Sequence, residues 1–408
     1  MKIQVPFVRG VRGSRRVACL LAAIAIGAGV CARVSGQQRA KEYWVKLVCE
    51  SADQIATVRF SAATGAKLDH TTETRILQSD ISGPHGIAFS PDKKFYFVSI
   101  GHGRPFGTGV KYLSDNDEEI KQVGLGLFPA TADVSPDGNF VFFANFNLHG
   151  DPVPSSVSVV DAGQMLEVAR IPTCVMPHGS RVSRDGSKQY SACMMSDLLV
   201  EIDAQRMRVA RTFRVTRGEE RGYVGLPQWI AGVGGAEMSA SDHSSMEQAS
   251  AASPGAPPMK MDPNACVPTW AQPSVDGRDI FVACNKSNEI VDVDESTWTL
   301  KRRIPAGDGV YNLGVTPDGK LLLATNKRGA SVSIFDIASG TELARLATRR
   351  RVVHGVAVSP DSRYAFFTVE GVGEEPGTLE VVDLAALKTV ATVDTPPQAA
   401  GIDFWKIQ

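Results

Sequence analysis

Short apolar runs separated by turn residues fill the chain from Glu42 to its end, and they recur in groups of four. Within a group, the first run leads into a tight turn, as residues 132–135 do. The second is aromatic and β-branched, as in 139–144. The third alternates and ends in Asp, at Asp161, Asp203, Asp294, Asp336 and Asp383. The fourth follows shortly, as in 167–171 or 299–304. Alternation at period two predicts half-buried strands, and runs joined by short turns predict antiparallel hairpins.

The groups carry a motif that returns every 42 to 48 residues. It reads Pro, a few residues, then Ser-Pro-Asp-Gly. Copies start at Pro84-His85-Gly86, Pro129, Pro177-His178-Gly179 and Pro268, continue with Thr316-Pro317-Asp318-Gly319 and Val353-His354-Gly355, and end in a truncated copy at Pro397. Pro presets φ, Asp bonds the local backbone and Gly supplies φ > 0, so the tripeptide makes the turn of a hairpin. Four antiparallel strands at this period predict one propeller blade per copy.

The last copy has room for an inner strand only. The missing strands lie at the other end of the chain, where 42–48, 54–59 and 66–74 read as strands two, three and four. Cys49 to Ile55 aligns there with Cys284 to Ile290. The expected fold is therefore an all-β, seven-bladed β-propeller of four-stranded antiparallel blades, spanning 42–408. Its N-terminal strands complete the C-terminal blade, which removes open sheet edges.

The tags Phe142-Phe143-Ala144-Asn145, Leu323-Ala324-Thr325-Asn326 and Phe281-Val282-Ala283-Cys284 resemble those of the YVTN-repeat β-propellers, which share a fold with the quinoprotein amine dehydrogenase large chains. The resemblance runs from about Glu42 to the end, apart from one insertion. It implies the propeller fold but no single activity, because such propellers include binding proteins and enzyme subunits.

Residues 1–36 read as a secretory signal: Arg9, Arg12, Arg15 and Arg16 precede an apolar stretch over 17–30, and Val34-Ser35-Gly36 offers a cleavage site. An uncleaved anchor is the alternative reading. Signal removal takes Lys2, Arg33 and those four arginines, leaving 37 basic residues against 44 acidic, a net charge of −7. That argues against nucleic acid as partner. No later stretch is apolar enough to span a membrane, and a periplasmic or secreted monomer is expected.

The period breaks once. Pro177 and Pro268 lie 91 residues apart, which leaves room for a flexible insertion at about 218–265. Its low-complexity centre carries Met238, His243, Met246, Met259 and Met261, a set of soft donors suited to copper or simply a surface loop.

Cysteines and histidines follow the repeat. Cys49, Cys193 and Cys284 end second strands, while Cys174 and Cys266 precede first strands. Cys174 with Cys193 and Cys266 with Cys284 are candidate disulfides in an exported protein, the alternative being small buried side chains. His85, His178 and His354 begin inner strands at one channel rim. His102 and His149 fall in loops after second strands on the same face. These five are candidate copper ligands, or else solvated turn residues. Ala130, Thr269 and Asn312 replace His in other copies, and Trp270 and Tyr311 are expected as ring contacts at the rim. The channel-rim ligand site is thus His85, His178, Trp270, Tyr311 and His354. The reading that asks least is an exported binding propeller whose channel mouth and inserted loop engage a small molecule or a protein partner. A copper-dependent oxidoreductase or copper-handling protein and a lactonase-like hydrolase are the alternatives, the latter because lactonase propellers carry similar Pro-x-His and Ser-Pro-Asp-Gly repeats.

Overall fold

Each Ser-Pro-Asp-Gly turn closes by the same local bonds. Ser90 Oγ donates to Asp92 Oδ1 at 2.7 Å and accepts from the Phe95 amide at 3.0 Å. Ser183 and Asp185, and Ser359 and Asp361, repeat the arrangement. The last turn position is left-handed throughout, with Gly138, Gly186, Gly277 and Gly319 near φ +70 and Lys93 and Ser362 taking φ 60 and 56 where Gly is missing.

These hairpins build an all-β propeller of four-stranded antiparallel blades, described here in a computed structural model over residues 40–74, 82–102, 107–231 and 262–408. The expected signal over 1–36 and the Met- and His-bearing centre of the insertion lie outside the described residues. Among the described residues no helix is long and apolar enough to cross a membrane.

Five sheets have four strands each, and their inner strands begin at Pro84, Pro129, Val310, Val352 and Ala399. A nine-stranded sheet joins two further four-stranded groups, whose inner strands begin at Pro177 and Pro268, through one parallel bridge between Gly179 and Trp270. Its ninth strand, Arg221–Val224, extends the Pro177 group at its outer edge, so the start of the insertion is ordered sheet.

The sheet containing Ala399–Ile407 is completed by the N-terminal strands Tyr43–Cys49, Gln54–Ser61 and Gly65–Glu73. Tyr43 pairs with Ile407 and Cys49 with Ala399. Between neighbouring sheets sit the apolar clusters. Phe97 and Phe143 pack between the Pro84 and Pro129 sheets, Phe142 and Leu198 between Pro129 and Pro177, and Tyr43 and Phe366 between the closing sheet and the Val352 sheet. Val48, Tyr96 and Trp405 then join the closing sheet back to the Pro84 sheet. Lys46 is buried at that last junction. Its ammonium lies 2.5 Å from Asp117 and 4.7 Å from the Trp405 ring, a desolvated charge held by its partner.

Two disulfides link Cys174 with Cys193 and Cys266 with Cys284, at Cα separations of 6.0 and 4.5 Å. The strand Leu166–Val175 runs on through Cys174, so the first bond ties one sheet's outer strand to the second strand of the next. Cys49 is a free, buried thiol.

Candidate functional site

Inner strands approach one another closely at the channel. A methyl group at Gly86 would lie 2.8 Å from Thr131 Cα, and one at Gly179 would lie 2.4 Å from the Thr269 carbonyl. This is why Gly follows His in these copies. It also lets each His reach the next inner strand. His85 Nδ1 bonds the Ala130 carbonyl at 2.7 Å, and His178 Nδ1 bonds that of Thr269 at 2.9 Å. His354 Nδ1 faces the Ala400 carbonyl without well-formed hydrogen-bond geometry.

The three histidines are buried and adjacent. The His85 ring lies 6.0 Å from His178 and 5.3 Å from His354, and Tyr311 completes the circle at 5.4 Å from His178 and 5.0 Å from His354. Because His178 Nδ1 donates to a carbonyl, its Nε2 accepts the Tyr311 hydroxyl at 3.1 Å. Burial, with His85 and Lys327 adding to it, pushes the His178 pKa down to about 3. His354 is also held well below the usual imidazole range, first by burial and then by Lys327. Both rings are therefore neutral at pH 7. Burial raises the Tyr311 pKa, so its hydroxyl stays protonated.

Charged groups flank this circle. On one side Glu50 meets His102 Nε2 at 3.2 Å and His85 Nε2 at 4.0 Å. Burial opposes the Glu50 charge, but His85 and His102 outweigh it and its pKa falls. His149 lies beyond His102 at 5.3 Å between ring centres, and Phe128 stands between that pair and His85. On the other side Lys327 sits 4.4 Å over the Tyr311 ring and 3.2 Å from Glu370. Burial works against the Lys327 charge, but Tyr311, Glu370 and Glu50 outweigh it and keep the amine protonated.

A cavity of about 470 Å³ opens on the Lys327 side. Tyr311, Met194 and Val352 form its apolar wall, and Lys327, Arg328 and Arg351 its cationic one. Asn285 lines it too, and Arg328 Nη1 donates to the Asn285 side chain at 2.8 Å. Below the ring is a void of about 20 Å³, room for one water, lined by His85, His354, Trp270, Asn312 and Arg181.

The five histidines thus share one end of the channel but divide into a buried trio and the exposed-side pair of His102 and His149. Among the described residues no group of three or more His, Cys, Asp or Glu side chains is arranged to hold a metal ion. Of the expected rim set, only Tyr311 lines the large cavity. Tyr311 follows Val310 as His85 follows Pro84, so Tyr311, rather than Asn312, stands in the histidine position. Trp270 pairs with Gly179, one residue further along, and its ring lies in the channel 4.6 Å from the Arg181 guanidinium.

Sequence reasoning missed Glu50, Asn285, Lys327 and Glu370, and took Met194 only as a soft donor near the rim. All five stand at one structural position, the end of a second strand: Glu50 after Cys49, Met194 after Cys193, Asn285 after Cys284, Lys327 after Asn326 and Glu370 after Val369. The signal was in hand, because aligning Cys49 with Cys284 places Glu50 against Asn285.

No protein-family model matches the chain, and no curated protein does. Solved structures do. The chain is similar to Kuenenia stuttgartiensis hydrazine synthase, at 19% identity and TM-score 0.58 over 81% of this chain and 92% of that one. It is similar to a putative 6-phosphogluconolactonase from Bacteroides fragilis, at 13% identity and TM-score 0.60 over 90% and 98%. The β-propeller domain of Cps50 from Myceliophteria thermophila matches at 13% identity and TM-score 0.53 over 80% and 92%. At these identities the likeness shows the fold, and the class is a β-propeller.

Proposed function

We propose that this chain is an exported, seven-bladed propeller that binds a small molecule at the mouth of its channel. The count of seven rests on taking the nine-stranded sheet as two blades joined by its one bridge. Export is supported by the signal-like N-terminus and by two disulfides, which persist in oxidising compartments. The observation that carries the binding reading is the cavity of about 470 Å³ beside Tyr311 and Lys327. It is concave, largely apolar and edged by a few fixed polar groups, as ligand sites are. A cavity of this form favours a small molecule over a protein partner.

The test is ligand-induced thermal stabilisation of the mature protein across a diverse small-molecule panel. Hits should vanish in Tyr311→Ala and persist in Trp229→Ala, which alters an exposed ring elsewhere. Hits unaffected by Tyr311→Ala would move the site away from the mouth.

A lactonase-like hydrolase is the second reading. It draws on the Tyr311–His178 hydrogen bond at the same mouth and on the fold likeness to the putative lactonase. Turnover of a lactone panel, lost in Tyr311→Phe, would support it.

A further inference from the structure

The cations at the cavity are not equivalent. Lys327 is already opposed by Glu370 at 3.2 Å. Arg328 spends its guanidinium on Asp308 at 3.0 Å, on the Asn285 side chain and carbonyl, and on Asn288. Arg351 is exposed at the cavity's edge, and among the described residues no carboxylate pairs with it. One unopposed arginine therefore lines a space whose other wall is Tyr311, Met194 and Val352.

We propose that this cavity takes a small organic monoanion, a carboxylate carried on an apolar body. The inference rests on the channel-mouth reading above. An arginine fork matches a carboxylate with two parallel hydrogen bonds. Burying the apolar body against Tyr311, Met194 and Val352 supplies the remaining affinity. A dianion would need a second unopposed cation, which the wall lacks. A metal cation would meet Lys327, Arg328 and Arg351 at close range.

Titration calorimetry on the mature protein tests this with three probes: benzoate, benzyl alcohol and inorganic phosphate. Two variants accompany them. Arg351→Ala removes an exposed side chain, and Met194→Trp fills the cavity. Benzoate should bind saturably, at least about ten-fold more tightly than benzyl alcohol, and Arg351→Ala should weaken it about ten-fold, a loss at the low end for a charge-assisted contact because Arg351 is exposed. Met194→Trp should weaken both organic probes, and phosphate should not compete with benzoate. Equal affinity for benzoate and benzyl alcohol, both lost in Met194→Trp, would overturn the anion preference and leave the mouth site standing. Phosphate binding that depends on Arg351 would overturn the monoanion. Benzoate binding unchanged in both variants would overturn both the proposal and the mouth site, and no binding of benzoate by the wild type would overturn the proposal.

Discussion

The two sides of the channel mouth use one structural position and carry opposite charge. At the end of the second strand, the closing sheet presents Glu50 and the Val310 sheet presents Lys327. On the Glu50 side the carboxylate is spent on His102, on His85 and on the Gln398 amide at 2.8 Å, and aromatic Phe128 fills the space beyond. On the Lys327 side the chain leaves a cavity. Between them the His178 and His354 rings carry no charge. A repeat fold fixes where side chains emerge, and single substitutions at one emergence point decide whether a sector is packed or open.

The neutral ring between the two sides gives the largest expected effect. The folded-state pKa of His178 is depressed to about 3, so the neutral form stabilises the fold above the unfolded value and that stability is lost as pH falls from 6.5. By pH 5 His178 alone should cost about 2 kcal/mol, and His354 acts in the same direction. Urea unfolding at pH 7.5 and 5 should show this loss, and His178→Gln should reduce it. Identical pH dependence in the variant would mean that the ring is solvated.

Next come matched substitutions on the two sides. Lys327→Ala strands the Glu370 carboxylate, whose pKa burial already raises, and should cost about 2 kcal/mol near pH 8. The cost should shrink as pH falls and Glu370, its pKa already raised, takes a proton. Glu50→Gln should cost less, about 1 kcal/mol near pH 7, because side-chain hydrogen bonds replace part of its ion pairing. Since the Glu50 pKa is lowered, its contribution is present above the ordinary carboxylate value and is lost as pH falls through the depressed folded value, so its cost also shrinks toward acid, but at lower pH than the Lys327→Ala cost, which follows the raised Glu370. Denaturation midpoints of both variants across pH 4 to 8 distinguish these two windows, and an identical pH dependence would erase the contrast between the two sides.

Much of this was legible in the sequence. The strands were readable because period two and a fixed turn motif specify them independently, and the N-terminal completion of the last sheet followed from the Cys49 to Ile55 alignment. Cys174 near Cys193 and Cys266 near Cys284 followed from hairpin geometry. The histidine circle was visible as a column, although Asn312 rather than Tyr311 was assigned to it. Trp270 was misplaced by one residue, and at period two one residue turns a side chain from the mouth into the channel. The cavity itself was not readable. Lys327 and Arg328 follow one strand and Arg351 precedes the inner strand of the next sheet, so they meet only in the packed fold. Lys46 and Asp117, 71 residues apart, show the same limit at the closing junction.

The most direct test is a crystal structure of the mature protein soaked in benzoate. The account predicts the ring of benzoate against Tyr311, Met194 and Val352, with its carboxylate on Arg351. Benzoate seated instead beside Glu50, His102 and His149, with the Tyr311 cavity unoccupied, would contradict it.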